Sequence, residues 1–160
     1  MRFLKSFSLL VALFLIISAC SNSETNISAK LVGTESLYKN KLSNKLNIEN
    51  ASLAVSTDKE NYLIPVEKIN FIIENTGSTS FGYGETLFIE KLESGTWYQL
   101  PYSGIGFTDE INELKPKEKV IQELPLKYLN FHLTKGTYRI TKEISYKREI
   151  YPLGVEFEIR

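Results

Sequence analysis

From residue 51 onward, apolar and polar side chains alternate along the chain in short runs. A period of two is typical of β-strands that bury one face, and this region shows no long period of 3.6 residues. Turn-forming residues interrupt the alternation about every 8 to 15 residues. The positions predicted to face the core include Leu53, Val55, Ile69, Phe71, Ile73, Val120, Gln122, Leu124, Leu126, Tyr138, Ile140, Ile144, Val155, Phe157 and Ile159.

The spacing of these runs predicts an all-β domain over residues 51–160, with about seven to eight strands. An antiparallel sandwich is the expected architecture, and a small barrel is the alternative. In a sandwich each strand buries its apolar face against the other sheet, so the charged alternates are expected to face water. On the run that begins at Gly136, the polar face that is expected to meet water consists of Arg139, Thr141 and Glu143.

The first nineteen residues have the order of an export signal. Positive charges at Arg2 and Lys5 precede an apolar run over residues 7–17. This run is shorter than the roughly 20 apolar residues that a bilayer span needs. The signal ends in Ile17-Ser18-Ala19-Cys20, which resembles the lipobox of bacterial lipoproteins.

The resemblance implies cleavage between Ala19 and Cys20 and a diacylglyceryl group on the Cys20 sulfur. One acyl chain binds a bilayer weakly, whereas two hold a protein stably. An ordinary secretory signal followed by a cysteine is the alternative. We therefore expect a lipid-anchored protein on the extracytoplasmic face of the cell membrane.

Residues 20–50 differ from the rest of the exported chain. They are rich in Asn and Ser and poor in strong β-formers, which predicts a flexible tether after the cysteine that the resemblance marks for lipidation. A short helix around Leu31 to Leu42 is the alternative for part of this segment, because its apolar residues fall on one side.

The composition argues against several classes of function. With 19 basic and 19 acidic residues, the chain has no net charge to attract nucleic acid. Cys20 is the only cysteine and His132 the only histidine, so we expect no internal disulfide, no metal site and no cofactor. His132 is interpreted as a loop residue. Asp109, Glu110 and Glu113 predict a solvated acidic loop, with weak calcium binding as the alternative.

Aromatic residues are concentrated between residues 81 and 107, where they are interleaved with glycine. Aromatic side chains with a polar edge are enriched at binding surfaces and stack on sugars. Tyr83, Trp97, Tyr98 and Tyr102 are therefore the candidate binding surface. The alternative is that Trp97 and about half of the other rings fill the core.

The turn and strand signals together resemble the bacterial immunoglobulin-like domain found in small Gram-positive lipoproteins. Tyr138 follows Gly136 at the start of a late strand and corresponds to the tyrosine corner of such sandwiches. Lys117 and Lys135 depart from the proline or glycine that related turns often carry. The resemblance implies an immunoglobulin-like fold and surface display, and it supplies no catalytic residues. The segments that carry it are Thr57–Tyr62, Ile73–Gly77, Ile89–Tyr98, Leu114–Pro116 and Leu133–Arg139.

These patterns predict a non-enzymatic binding or display lipoprotein. Besides the membrane, its expected partner is a protein or a cell-wall glycan, which the loops and sheet edges of a rigid sandwich recognise. An extracytoplasmic peptidase inhibitor is the alternative, with the loop Pro101–Gly106 entering the protease cleft. An enzyme is not expected, because no catalytic motif is found in the sequence.

Overall fold

The computed structural model describes residues 33–160, which form two β-sheets and one short 3₁₀ helix, Leu126–Tyr128. No α-helix occurs between residues 33 and 160. In chain order the strands are β1 (Thr34–Glu35), β2 (Lys45–Ile48), β3 (Ala51–Thr57), β4 (Asn61–Tyr62), β5 (Asn70–Asn75), β6 (Phe81–Tyr83), β7 (Phe88–Glu93), β8 (Thr96–Gln99), β9 (Asn112–Leu114), β10 (Lys119–Glu123), β11 (Gly136–Tyr146) and β12 (Glu149–Ile159).

The large sheet has the order β1-β8-β7-β11-β12-β4, and β6 joins it by pairing with both β11 and β9. The small sheet has the order β10-β5-β3-β2. Neighbouring strands are antiparallel except for β4 and β12, which are parallel. The predicted all-β sandwich is confirmed. Within residues 33–160 no helix is long and apolar enough to cross a membrane.

The core lies between the two sheets and follows the predicted alternation. Each large apolar side chain removed from water contributes about 1.5–3 kcal/mol to folding, so the alternation is the main source of stability. Several predicted core positions are only partly buried, among them Val120 and Gln122 on the edge strand β10. Those confirmed as fully buried include Leu53, Val55, Ile69, Phe71, Ile73, Leu124, Tyr138, Ile140, Ile144, Phe157 and Ile159.

Tyr138 forms the predicted tyrosine corner. Its ring is buried, and its hydroxyl donates a hydrogen bond to the Thr134 carbonyl at 2.8 Å. The same oxygen accepts a hydrogen bond from the Thr134 N–H at 3.1 Å. These two bonds fix the turn that leads into β11.

Residues 33–50 belong to the folded domain. β1 pairs with β8 at the edge of the large sheet, and β2 pairs with β3 in the small sheet. We call residues 36–44, which connect them, the strap. The domain therefore begins before the boundary at residue 51, and neither a flexible tether nor a helix is found between residues 33 and 50.

Arg139 holds the strap against the large sheet. Its side chain is only 1% exposed, and its Nε donates a hydrogen bond to Glu90 Oε2 at 2.5 Å. Ser36 of the strap donates to the other Glu90 oxygen at 2.6 Å and accepts from Arg139 Nη2 at 3.1 Å. The expectation that Arg139 and Thr141 face water is wrong, because both are only 1% exposed, whereas Glu143 is exposed as predicted. At Arg139 the strap covers this face of β11.

Backbone carbonyls of the strap complete the coordination of the guanidinium. Arg139 Nη1 donates to the Asn40 carbonyl at 3.0 Å, and Nη2 donates to the Tyr38 carbonyl. The guanidinium carbon lies over the Trp97 ring, with 4.4 Å between Cζ and the ring centroid. The buried charge is thus paired with Glu90, hydrogen-bonded and in cation–π contact, which offsets the cost of burying an arginine.

The strap also crosses β12 at a glycine. The N–H of Gly154 donates to the Ser43 carbonyl at 3.0 Å. A Cβ at Gly154 would lie 2.8 Å from the Leu42 Cβ and 3.0 Å from its Cδ1. Only a residue without a side chain leaves room for the strap at this crossing.

We expect Arg139→Met to reduce the free energy of unfolding by about 3–5 kcal/mol, because Glu90 is left buried without a cation. The double variant Arg139→Met, Glu90→Leu should lose less, since it removes both charges. Urea denaturation followed by circular dichroism measures both. Lys68→Ala is the control, because its ion pair with Glu123 is exposed and should contribute less than about 1 kcal/mol. Equal losses in the single and double variants would contradict the assignment.

We expect Gly154→Ala to destabilise the domain by about 1–3 kcal/mol, because the new methyl group overlaps Leu42. Gly106→Ala is the matched control, since a Cβ there meets no heavy atom within 4 Å. Thermal unfolding of the two variants gives the comparison. A Gly154→Ala protein as stable as Gly106→Ala would show that the strap does not pack on β12 as described.

Candidate functional site

A cleft of about 330 Å³ opens beside β11, between the strap and the loop that precedes β9. Its volume lies at the lower end of the range for small-molecule sites. Strands β6, β7 and β11, the start of β12, the strap and the loop each contribute to its walls. The residues around it are Tyr38, Gly82, Tyr83, Gly84, Thr86, Phe88, Thr108, Asp109, Glu110, Ile111, Thr141, Lys142, Glu143, Ser145 and Ile150.

The cleft lies where β6 and β7 separate along β11. β7 pairs with residues 138–141 and β6 with residues 144–145, so the chain between β6 and β7 leaves the ladder near Lys142. The Lys142 ammonium donates to the carbonyl of Gly84 and, at 3.0 Å, to that of Thr86. Burial lowers the pKa of Lys142 to about 8, although the charges of Glu143 and Glu85 act in the opposite direction.

A glycine in β6 lets the loop before β9 approach the sheet. A Cβ on Gly82 would lie 2.8 Å from Ile111 Cγ2 and would overlap Ser145 Oγ. The absence of a side chain at Gly82 therefore positions Ile111 beside the cleft. At the same loop, Thr108 Oγ1 donates to Glu85 Oε2 at 3.1 Å.

The strap supplies the opposite wall through Tyr38. The Tyr38 hydroxyl donates to Glu143 Oε1 at 2.6 Å. Burial, together with the hydrogen bond to Glu143 and the charges of Glu143 and Glu90, raises the pKa of Tyr38 to about 12. The phenol therefore stays protonated at physiological pH, and its proton is directed at the carboxylate.

The cleft combines apolar rims with polar walls. Ile111 and Ile150 are 63% and 56% exposed, and Tyr83 and Phe88 are half-buried. Thr141 also lines the cleft and is 1% exposed, and its Oγ1 has no hydrogen-bond partner among the described residues. Such a combination of exposed apolar side chains and an unpaired polar atom is typical of a binding site.

The four residues of the predicted aromatic surface do not form one surface, because each lies in a different environment. Tyr83 lines the cleft, 5.9 Å from Lys142 Nζ to the ring centroid. Trp97 is 8% exposed beneath Arg139, so its ring offers little surface to a ligand. Tyr98, the next residue of β8, is half-buried and lies opposite Glu35 of β1.

Tyr102, the fourth member of that set, packs inward. Its ring meets Phe107 edge to face at a centroid distance of 5.7 Å, and its hydroxyl has no partner among the described residues. Burial raises the pKa of the Tyr102 phenol. Tyr102 therefore contributes to packing beside the core.

The loop 101–106 is fixed at its start and turns sharply. The Pro101 carbonyl accepts from the Asn130 N–H, and the Ser103 N–H donates to the Tyr128 carbonyl, both at 2.8 Å. Gly104 has a φ of 72°, which bends the backbone at its exposed tip. This loop is the segment that the alternative of a peptidase inhibitor would place in a protease cleft, and it forms a turn whose tip is exposed.

The remaining candidate residues lie apart from one another. His132 is an exposed loop residue, as predicted. Asp109 and Glu110 line the cleft, whereas Glu113 lies on β9, and residues 33–160 contain no group of His, Cys, Asp or Glu side chains arranged to hold a metal ion. Ala19 and Cys20 fall outside the described residues.

The sequence pattern did not indicate Tyr38, Thr141, Lys142 or Glu143. Composition predicts a tether at Tyr38, and the alternation of residues predicts ordinary strand positions for the three residues of β11. One available signal is the length of β11, whose 11 residues extend past the end of β7 and so require other partners.

Comparisons with known proteins identify the domain. A family model described as a bacterial Ig-like domain matches residues 47–158. No match is found among curated proteins. Among solved structures, the β-glucosidase EmGH1 from Erythrobacter marinus is 12% identical over 69% of this chain, with a TM-score of 0.36. The match spans only 16% of the length of that enzyme, and a likeness at this level carries no argument about activity.

The family match covers more than half of the chain and agrees with the two packed sheets and the Tyr138 corner. This protein therefore belongs to the bacterial Ig-like domain family.

Proposed function

We propose that this protein is a lipid-anchored, extracytoplasmic binding module that acts without catalysis. The signal over residues 1–19 and the lipobox-like sequence that ends at Cys20 support the anchor. The bacterial Ig-like domain supports a binding or display role, because such sandwiches present recognition surfaces on a rigid scaffold.

The cleft beside β11 is the observation that carries the binding role. Its walls come from parts of the chain as distant in sequence as Tyr38, Ile111 and Ile150, and the fold brings them together. A partner that covers the exposed isoleucines at its mouth would remove their apolar surface from water, which would stabilise the complex. We infer that a ligand or partner contacts the domain here, in place of the predicted aromatic surface.

We expect Cys20→Ala to abolish incorporation of a labelled fatty acid into the protein in a bacterial host, because acylation requires the thiol. Immunoprecipitation followed by detection of the label measures the incorporation, and mass spectrometry of the wild-type protein identifies the lipid. Ser23→Ala, three residues along, is the matched control and should keep the label. A Cys20→Ala protein that still carries the label would overturn the proposed anchor.

A photocrosslinking residue placed at Ile150 should capture a cell-envelope component, because this side chain is 56% exposed at the mouth of the cleft. The same residue placed at Ile121 is the control, since Ile121 is 61% exposed but belongs to β10 of the small sheet. Gel electrophoresis of irradiated cells shows the adducts. Equal adduct formation at both positions, or none at Ile150, would argue against the cleft as the contact surface.

A further inference from the structure

We propose that the cleft binds a primary ammonium group carried on an apolar stem, the chemistry of a lysine side chain or an alkylamine. This inference rests on the proposed binding function and specifies the class of ligand. Four features of the cleft support it: its charge, its unpaired polar atom, its apolar rim and the geometry of Glu143.

The charge around the cleft is negative. Asp109, Glu110 and Glu143 line it, and Glu143 has no ion-pair partner among the described residues. Lys142 is the one cation among the lining residues, and its ammonium is bonded to the Gly84 and Thr86 carbonyls. A concave surface of one sign concentrates ligands of the opposite sign, so a cation is favoured over an anion.

Two donors beside the cleft are already engaged. The Tyr38 hydroxyl donates to Glu143, and the Lys142 ammonium directs two of its three donors at the Gly84 and Thr86 carbonyls. Thr141 Oγ1 is covered and has no partner among residues 33–160, which is uncommon for a buried hydroxyl. An ammonium group carries three donors and can supply one to Thr141 after a small local opening of the cleft.

The apolar rim fits the stem of such a ligand. Ile111 and Ile150 are exposed at the mouth, and the half-buried rings of Tyr83 and Phe88 lie within the cleft. Aliphatic side chains cover the methylene groups of the stem, and aromatic rings also attract a nearby cation.

Glu143 favours an ammonium over a guanidinium. A guanidinium prefers a carboxylate whose two oxygens are both free, because it donates two parallel hydrogen bonds. One Glu143 oxygen already accepts the Tyr38 hydroxyl at 2.6 Å. A compact ammonium needs only single acceptors at each contact and therefore suits this arrangement.

The test is an NMR titration of the full chain, purified in detergent with labelled isoleucine methyl groups. The probe is n-pentylamine, and its neutral and anionic counterparts are 1-pentanol and valerate. We expect pentylamine to shift the methyl signals of Ile111 and Ile150 while that of Ile121 on the small sheet stays unchanged. Equal binding of pentanol or valerate, or an equal response to Ca²⁺, would overturn the ammonium assignment.

Two variants sharpen the test. Glu143→Gln keeps an acceptor for Tyr38 but removes the charge, so pentylamine affinity should fall at least about tenfold while pentanol is unaffected. Glu74→Gln, an exposed carboxylate on β5 of the small sheet, is the matched control and should change nothing. Unaltered affinity in Glu143→Gln would contradict the proposal.

Thr141→Val separates binding from folding. Removal of an unpaired buried hydroxyl should leave the urea midpoint unchanged or raise it. Pentylamine affinity should nevertheless fall, by about threefold or more, and a variant that binds like the wild type would remove Thr141 from the site.

The same titration with Nα-acetyl-lysine amide distinguishes the two sources of the ammonium. Affinity comparable to that of pentylamine assigns the site to a lysine side chain, and binding of pentylamine alone assigns it to a free alkylamine. If neither binds while the Ile150 crosslink forms and Cys20→Ala loses the fatty-acid label, the ligand class is wrong and the proposed function stands.

Discussion

The buried ion pair between Arg139 and Glu90 is the contact on which the N-terminal part of the domain depends. Burying an arginine is unfavourable unless its charge is paired and its donors are directed at acceptors. Glu90 and Ser36 provide side-chain acceptors and the carbonyls of Tyr38 and Asn40 provide two more, so four of the five guanidinium donors are used. The hydrogen bonds to this buried charge therefore hold the strap in place, because its own sequence contains few large apolar residues.

The candidate binding site inherits its shape from the same contact. The Tyr38 carbonyl binds Arg139, while its hydroxyl binds Glu143 at the wall of the cleft. A strap that left Arg139 would remove Tyr38 from the cleft at the same time. The strap covers one face of the large sheet and also supplies a wall of the cleft. The cleft therefore keeps its shape only while the strap stays bound.

Much of the sandwich could be predicted, because a period of two reports burial on one face of a strand directly. Leu53, Val55, Phe71 and Ile73 satisfy that rule, and the resemblance of the strand entry from Gly136 to a tyrosine corner locates Tyr138. The rule fails for β11, where Ile140 and Arg139 are both buried, since a strand covered on two sides no longer alternates in exposure.

The strap and the cleft could not be predicted for a related reason. Polar segments such as residues 36–44 satisfy composition rules for disorder, and only a distant partner, here Arg139, explains why they are ordered. The aromatic residues failed as a guide because ring type does not reveal which face of a strand a ring occupies. Trp97 is covered by Arg139, whereas Tyr83 lines the cleft.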